Sequence, residues 1–268
     1  MEEQTWAKHC DDACAAARDG DYGQSEYRWR LAWSLALKLF EENDPRYLMT
    51  LEYLSDMLCL QKKLQDAEPL LVNLLSLKMK VMEPTSLQVG ATHNTLAGLY
   101  YSLKRHDEAE EHCLKSLEIH EKILGDQNSD VVMILYNLAL IYHAKRSYEQ
   151  ADAAYRRALD AAKAVYGDSH PETANIADHY AALLNVTGKK EEAQNTRKTM
   201  VLPVYERLMR AAGVDDQVAK PQTNKGFPAA TLTGMERDPR RSNQCMYRIK
   251  PLPTKEAEVE PETNSKTS

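Results

Sequence analysis

Hydrophobic residues recur along the chain with the spacing of paired amphipathic helices. In residues 86–127 a first apolar face follows the i, i+4, i+7, i+8 pattern of a helix, at Val89, His93, Leu96, Ala97, Tyr100 and Leu103. After the polar stretch 104–107 a second face follows, at Ala109, Cys113, Leu117, His120 and Leu124. Gly125 ends the second pattern, and glycine is typical of the position just after a helix. The segment therefore predicts a helical hairpin.

This hairpin pattern recurs every 42 residues. Four columns of similar residues keep that register: Ala67, Ala109, Ala151 and Ala193; Ser55, Ala97, Ala139 and Ala181; Leu58, Tyr100, Tyr142 and Leu184; Leu75, Leu117, Leu159 and Val201. An acidic or amide residue follows each alanine of the first column, at Glu68, Glu110, Asp152 and Gln194. Because independent columns do not stay in phase by chance, we predict five units, at 2–43, 44–85, 86–127, 128–169 and 170–211.

The end of the repeated region is marked by Pro203, which falls inside the last predicted helix. Since an interior proline removes a hydrogen bond at a cost of about 3 kcal/mol, we expect this helix to stop or kink near Leu202. Residues 204–212 would then fold back as a cap before Gly213, because a terminal repeat has no neighbour to cover it. We accordingly predict one domain over 1–213.

The remaining residues, 214–268, are rich in Pro, Thr, Asn, Lys and Glu and have no hydrophobic period, which predicts a disordered tail. Within it, 237–250 carries five basic residues against one acidic residue, a local charge of +4. An acidic stretch follows at Glu256, Glu258, Glu260 and Glu262.

Composition narrows the classes of partner and compartment. The net charge is −6, so the overall field does not favour a nucleic acid or an anionic membrane as partner. Five scattered cysteines in a chain of 268 residues are not a disulfide framework. No apolar leader is evident, and no run approaches the roughly 18 to 20 apolar residues of a membrane span. We expect a soluble, cytoplasmic protein in a reducing compartment.

Sequence motifs for catalysis and metal binding are missing from the chain. It contains no phosphate-binding G-x-x-x-x-G-K-[ST], no G-x-G-x-x-G, no H-E-x-x-H and no C-x-x-C. His106, His112 and His120 accompany Cys113 in one unit but fall on separate helical faces, and surface histidines are the simpler interpretation. Cys10 and Cys14 share a helical face and are interpreted as small core residues. We predict that the protein is not an enzyme and needs no cofactor or metal.

Two motifs resemble tetratricopeptide repeats (TPRs). They are Leu96-Ala97-Gly98-Leu99-Tyr100 followed by Asp107-Glu108-Ala109-Glu110, and 136–142 followed by Tyr148-Glu149-Gln150-Ala151. The 42-residue unit, with Leu124-Gly125-Asp126 and 166–171 between units, is similar to the kinesin-light-chain-like variant of this repeat. The resemblance implies an all-α fold, a right-handed α-solenoid of five TPR-like helix pairs. It also implies a non-enzymatic scaffold that binds a protein or peptide.

In that family the first helix of each pair lines a concave groove. The resemblance implies that the groove positions of this chain include Glu52, Asp56, Asn94, Tyr101, Tyr136, Asn137, His143, Asp178 and Asn185. Asn137 matches the asparagine that kinesin-light-chain-like repeats use to hold a peptide backbone. Amide side chains suit that role because each offers donors and an acceptor. The three acidic positions further predict a groove that prefers basic or neutral segments.

Two functional hypotheses follow. In the first, the protein is a scaffold or adaptor that binds an extended segment of an unidentified protein in the groove. In the second, the repeats form a regulatory module whose own basic tail, 237–250, occupies the groove until a partner displaces it. Comparing peptide binding by the full chain and by residues 1–213 separates the two.

Overall fold

The computed structural model describes residues 1–211, and the regular elements of this range are all helical. They are α1 (Glu2–Arg18), α2 (Tyr22–Leu39), α3 (Pro45–Leu60), α4 (Leu64–Val81), α5 (Leu87–Ser102), α6 (His106–Leu124), α7 (Ser129–Ala144), α8 (Tyr148–Tyr166), α9 (Pro171–Val186), α10 (Lys190–Thr196), a π-helical turn (Arg197–Val201) and α11 (Leu202–Ala211). The predicted tail, 214–268, lies outside the described residues. None of the described helices is long and apolar enough to span a bilayer.

Local sequence signals account for where the helices begin and end. The side chains of Asp21, Asp44, Ser86, Asn128 and His170 accept backbone N–H bonds at the starts of their helices. Between the two helices of each hairpin one residue adopts a left-handed conformation, at Gly20, Lys62, Lys104, Arg146 and Gly188, again 42 residues apart. Gly125 and Gly167 have φ values of 74° and 90° after α6 and α8, as their sequence positions predict.

Packing is sequential along the chain: each helix from α1 to α10 contacts the next one. In the second to fifth units the first helix (α3, α5, α7, α9) is here called an inner helix, and the second helix of every unit (α2, α4, α6, α8, α10) is called an outer helix. The two small-residue columns lie where these helices meet, and all four members of each column are fully buried. One continuous hydrophobic core therefore runs from Cys10 to Val201. The all-α solenoid of helix pairs predicted from the 42-residue period is confirmed.

Ion pairs between neighbouring units explain the acidic column. Glu26 pairs with Lys63 at 2.5 Å, Glu68 with Arg105 at 2.6 Å, Glu110 with Lys145 at 2.5 Å and Asp152 with Lys189 at 3.6 Å. Each acid lies near the start of an outer helix, and its cation lies beside the start of the next unit's second helix. In the last unit the column holds Gln194, which needs no cationic partner from a following unit.

Replacing Arg105 with alanine should lower the free energy of unfolding of the array by more than a matched substitution within one helix does. Arg105 joins Glu68 of one unit to Glu108 of the next, and its guanidinium lies 4.5 Å from the centroid of the Tyr100 ring. Lys115→Ala is the matched control, because the Lys115–Glu111 pair lies within α6 and joins no units. Urea unfolding should show less than about 0.5 kcal/mol for the control. Equal losses in both variants would contradict a role for the inter-unit pairs.

The last unit differs from its expected form. The helix does not stop at Leu202: the π-helical turn Arg197–Val201 comes directly before α11, whose second residue is Pro203. A π-helical turn shifts the backbone hydrogen bonds by one residue. A proline in the first turn of a helix is tolerated, because an N–H at that position would have no partner within the helix. Val201 and Val204 are both buried, so the end of the core continues through this turn.

Candidate functional site

The inner helices are buried around almost their whole circumference. In α5 every residue from 89 to 101 is buried, and in α7 the same holds for 131–142 apart from Met133. The continuous apolar sequence of α7 accounts for this, since a helix that is hydrophobic on every side lies inside a structure. Four of the predicted groove residues, Asn94, Tyr101, Tyr136 and Asn137, expose between 0% and 4% of their surface.

Two polar contacts link successive inner helices on this face. The Asn137 amide Nδ2 donates to Asn94 Oδ1 over 3.1 Å, and both residues are fully buried. One unit further, Tyr136 Oη lies 2.9 Å from His179 Nδ1. Both contacts join residues 43 positions apart, so they repeat one geometry along the array. The predicted amides are therefore held in a fixed orientation by the fold itself.

An aromatic cluster surrounds Tyr136. Its ring centroid lies 6.4 Å from that of Tyr155 and 5.6 Å from that of His179, and His143 lies 6.2 Å from Tyr155. Tyr155 comes from outer helix α8 and is fully buried, and burial raises the pKa of its hydroxyl well above the ordinary value. Burial, together with His179, lowers the pKa of His143. Both pKa shifts favour the uncharged forms of Tyr155 and His143.

The acidic candidates are largely neutralised within the chain. Glu52 pairs with Lys78 at 2.9 Å, and Asp178 pairs with Arg197 at 2.8 Å. Lys78 is 3% exposed and also donates to Thr92 over 3.1 Å, so it connects α3, α4 and α5. Two of the three carboxylates that were expected to make the groove acidic are therefore held in ion pairs. The third acid, Asp56, is buried, and burial together with this carboxylate raises the pKa of the Cys59 thiol to about 12.

The sequence-predicted positions therefore separate into groups. Asn94 and Asn137 meet, Tyr136 and His143 join the aromatic cluster, and Asn185 is exposed at the end of α9. Tyr155 was missed because it lies on an outer helix, outside the implied groove positions. The sequence does contain one indication of this position. The equivalent residues are Cys113 one unit before and Arg197 one unit after, so the side-chain size at this position varies between units. Arg197 replaces that aromatic residue and holds Asp178.

Groups of acids, histidines and cysteines that could hold a metal ion are absent among residues 1–211. Cys10 and Cys113 are buried, and burial is the main cause that raises the pKa of each thiol. A high thiol pKa leaves little thiolate for nucleophilic chemistry. What the inner face offers is hydrogen bonding and aromatic contact.

Comparison with known proteins places this geometry in a family. A tetratricopeptide repeat family model matches residues 88–164 and 130–196. The comparison with functionally curated proteins found no match.

Solved structures show the same arrangement. Two crystal structures of the nearly identical TPR-like repeats of a Podosopora anserina kinesin light chain superpose with TM-scores of 0.69 and 0.66, each at 17% identity. They cover 78% and 80% of this chain, which in turn covers 99% and 98% of theirs. BtubC (BKLC) from P. vanneervenii matches with a TM-score of 0.61 at 19% identity, over 75% of this chain and 78% of its own.

The 42-residue helix pairs, the family match and these structures agree on one conclusion. Residues 88–196 match the tetratricopeptide repeat family, and the solenoid has the fold of the kinesin light chain-like repeats.

Proposed function

We propose that this protein is an adaptor that binds an extended segment of a protein partner along its inner helices. The contact between Asn94 and Asn137 carries the proposal. Both side chains are 0% exposed, so binding requires the inner helices to part enough for a partner's backbone to reach the amides, whose donors and acceptors suit the repeating N–H and C=O groups of an extended backbone. Tyr101 and Tyr136 add aromatic surface with a polar tip next to this pair. TPR proteins in general are protein-interaction scaffolds, which supports the coarser part of the proposal.

The test first selects peptides that bind the protein and then measures their binding to a variant without the two amide side chains. A phage library of random dodecamers is selected on the full chain and on residues 1–213, and the best peptide is titrated into each by fluorescence anisotropy. The double variant Asn94→Leu, Asn137→Leu should bind at least tenfold more weakly, which corresponds to about 1.4 kcal/mol. Leucine has a similar volume, and replacing both partners of a buried hydrogen bond leaves neither unsatisfied, so the fold should persist.

Asn73→Leu is the control, because Asn73 is exposed on outer helix α4 and is not among the groove positions. It should bind within twofold of the unsubstituted protein. An amide-free variant that binds as tightly as this control would remove the basis of the proposal.

A second candidate function is a regulatory module whose own basic segment, 237–250, competes for the inner face. It uses the same inner-face residues as the adaptor, Asn94, Asn137, Tyr136 and Tyr101. Since Glu52 and Asp178 are already paired, backbone hydrogen bonds and aromatic contact, rather than charge, would hold that segment. If so, residues 1–213 should bind the selected peptide several-fold more tightly than the full chain. Equal affinities would eliminate this candidate and leave the adaptor function standing.

A further inference from the structure

The C-terminal ends of the first three outer helices share a feature that the inner face does not explain. Lys38, Lys80 and Lys122 occupy equivalent positions in α2, α4 and α6, 42 residues apart, and all three are exposed. None of their ammonium groups forms an ion pair or a hydrogen bond with another residue of the range 1–211. By contrast, Arg30, Lys63 and Arg105 on or beside the same outer helices are all paired.

Each of these lysines has an exposed aliphatic neighbour. Leu37 precedes Lys38 and is 53% exposed, whereas Val81 and Ile123 follow Lys80 and Lys122 and are 42% and 48% exposed. We call these six residues the lysine edge. A lysine in the last turn of a helix is favoured by the helix dipole, but that effect does not account for an exposed aliphatic side chain beside it in three successive units. The fourth outer helix lacks the feature, since Ala164 occupies the equivalent position.

We propose that the lysine edge binds the acidic segment 256–262 of the same chain. This inference goes beyond the proposed function and does not depend on it. The segment alternates glutamate with small or apolar residues, Glu256-Ala257-Glu258-Val259-Glu260-Pro261-Glu262, so it offers both the charge and the apolar contact that the edge requires. Carboxylates are the complement of unpaired ammonium groups at an exposed surface.

The dimensions of the two parts agree. At about one helix packing distance, 10 Å, per unit, the three lysines would span roughly 20 Å. Six residue steps from Glu256 to Glu262 also span roughly 20 Å in an extended chain, at about 3.3 Å per residue. A flexible linker of 45 residues, the length of chain from Ala211 to Glu256, would have a root-mean-square reach of roughly 35–40 Å. The lysine edge lies two to four units, roughly 20–40 Å, from α11.

Other occupants fit less well. A second copy of the same edge would bring lysine against lysine. An anionic membrane would be repelled by the rest of the array, because residues 1–211 carry a net charge of −7. The nine basic and eight acidic residues after Ala211 contribute +1, which gives the total of −6.

Zero-length crosslinking of the full chain tests the proposal. A water-soluble carbodiimide joins carboxylates to amines that are in direct contact, and mass spectrometry of the digest identifies the linked pairs. Links from Glu256, Glu258, Glu260 or Glu262 to Lys38, Lys80 and Lys122 should exceed those to Lys190 and Lys198 at least threefold. Lys190 and Lys198 are exposed reference lysines in the last unit, closer to where the tail begins, so an undirected tail would favour them. Salt at 0.5 M should weaken the excess, because exposed charges are screened.

A charge-swapped chain completes the test. Lys38→Glu, Lys80→Glu and Lys122→Glu should abolish the links on their own. Combined with Glu256→Lys, Glu258→Lys, Glu260→Lys and Glu262→Lys, they should restore links between the same positions, with carboxylate and amine exchanged. Protein mixed from light and heavy isotope cultures shows which chain each linked residue belongs to. The proposal is overturned if the reference lysines link as often as the edge, if the excess is insensitive to salt, or if the links join only different chains. Sedimentation with phosphatidylserine vesicles that depends on the three lysines would also overturn it, in favour of a membrane.

Discussion

Lowering the pH from 7 to 4 should destabilise the array by about 3 kcal/mol through His93 alone. This histidine is 6% exposed, and burial, followed by the neighbouring His112, lowers its pKa to about 4 from an ordinary value of 6.5. Between pH 6.5 and about pH 4, His93 binds a proton in the unfolded chain but not in the folded chain. The free energy of unfolding therefore falls as the pH falls, by about 1.4 kcal/mol per pH unit, and it is constant above pH 7.

The groups around His93 explain why its protonated form is disfavoured in the folded chain. His93 Nδ1 lies 2.8 Å from His112 Nδ1, so the two neutral rings share one hydrogen between these nitrogens. Protonating both rings would place two donors against each other. Lys115 also disfavours the charged form, and only Glu111 opposes it. Burial lowers the pKa of His112 in the same direction, so the pair acts together.

Urea unfolding at pH 7.5, 6.0 and 5.0 measures this dependence. The variant His93→Gln should lose a large part of the slope of stability against pH, whatever its stability at pH 7.5. Tyr100→Phe is the control, since the Tyr100 ring lies 5.4 Å from His112 but the substitution removes no histidine. It should keep the slope of the unsubstituted protein. A His93→Gln slope equal to that of the control would show that another group governs acid sensitivity.

The helices were predictable because the 42-residue period constrains every unit at once. A column such as Ala67, Ala109 and Ala151 fixes which face is buried, and glycines and capping residues mark the ends. Periodicity gives a position but not the side chain that the position contains. Lys78 and His120 occupy one buried column, with Ala36 and Ala162 at its other positions, and nothing in the period indicates how a lysine and a histidine are accommodated.

The same limit applies to the candidate site. The family resemblance placed Asn94 and Asn137 on the inner helices, but their mutual hydrogen bond depends on two side chains in different units. Glu52 and Asp178 appeared as free acids in sequence because their cations, Lys78 and Arg197, lie 26 and 19 residues away on other elements. Local charge counts cannot detect such pairs. Spatial partners decide whether an acid is available to a ligand.

Gly90→Val should destabilise the array at the upper end of the 1–3 kcal/mol range typical of overpacking. A Cβ at this position of α5 would lie 2.7 Å from His120 Cε1, 2.9 Å from His120 Nδ1 and 3.0 Å from Ile119 Cγ2. His120 has no room to withdraw, because it is fully buried and its Nδ1 contacts Ser116 O at 2.8 Å. Gly23→Ala is the control: its Cβ would meet only Asp21 Oδ1, at 3.5 Å, and the change should be neutral or slightly stabilising.

The next unit of the chain shows how the two positions compensate. The residues equivalent to Gly90 and His120 are Val132 and Ala162, which are 2% and 0% exposed, so a large residue on the inner helix accompanies a small one on the outer helix. The double variant Gly90→Val, His120→Ala recreates that pair in the third unit. Its loss in thermal or urea stability should be smaller than the sum of the two single losses by at least about 1 kcal/mol, the coupling expected of residues in contact. Additive losses would mean that His120 is not what confines this position to glycine. A loss smaller than the sum would show how the array keeps its helix spacing: within a unit, a larger residue on the inner helix is matched by a smaller residue facing it on the outer helix.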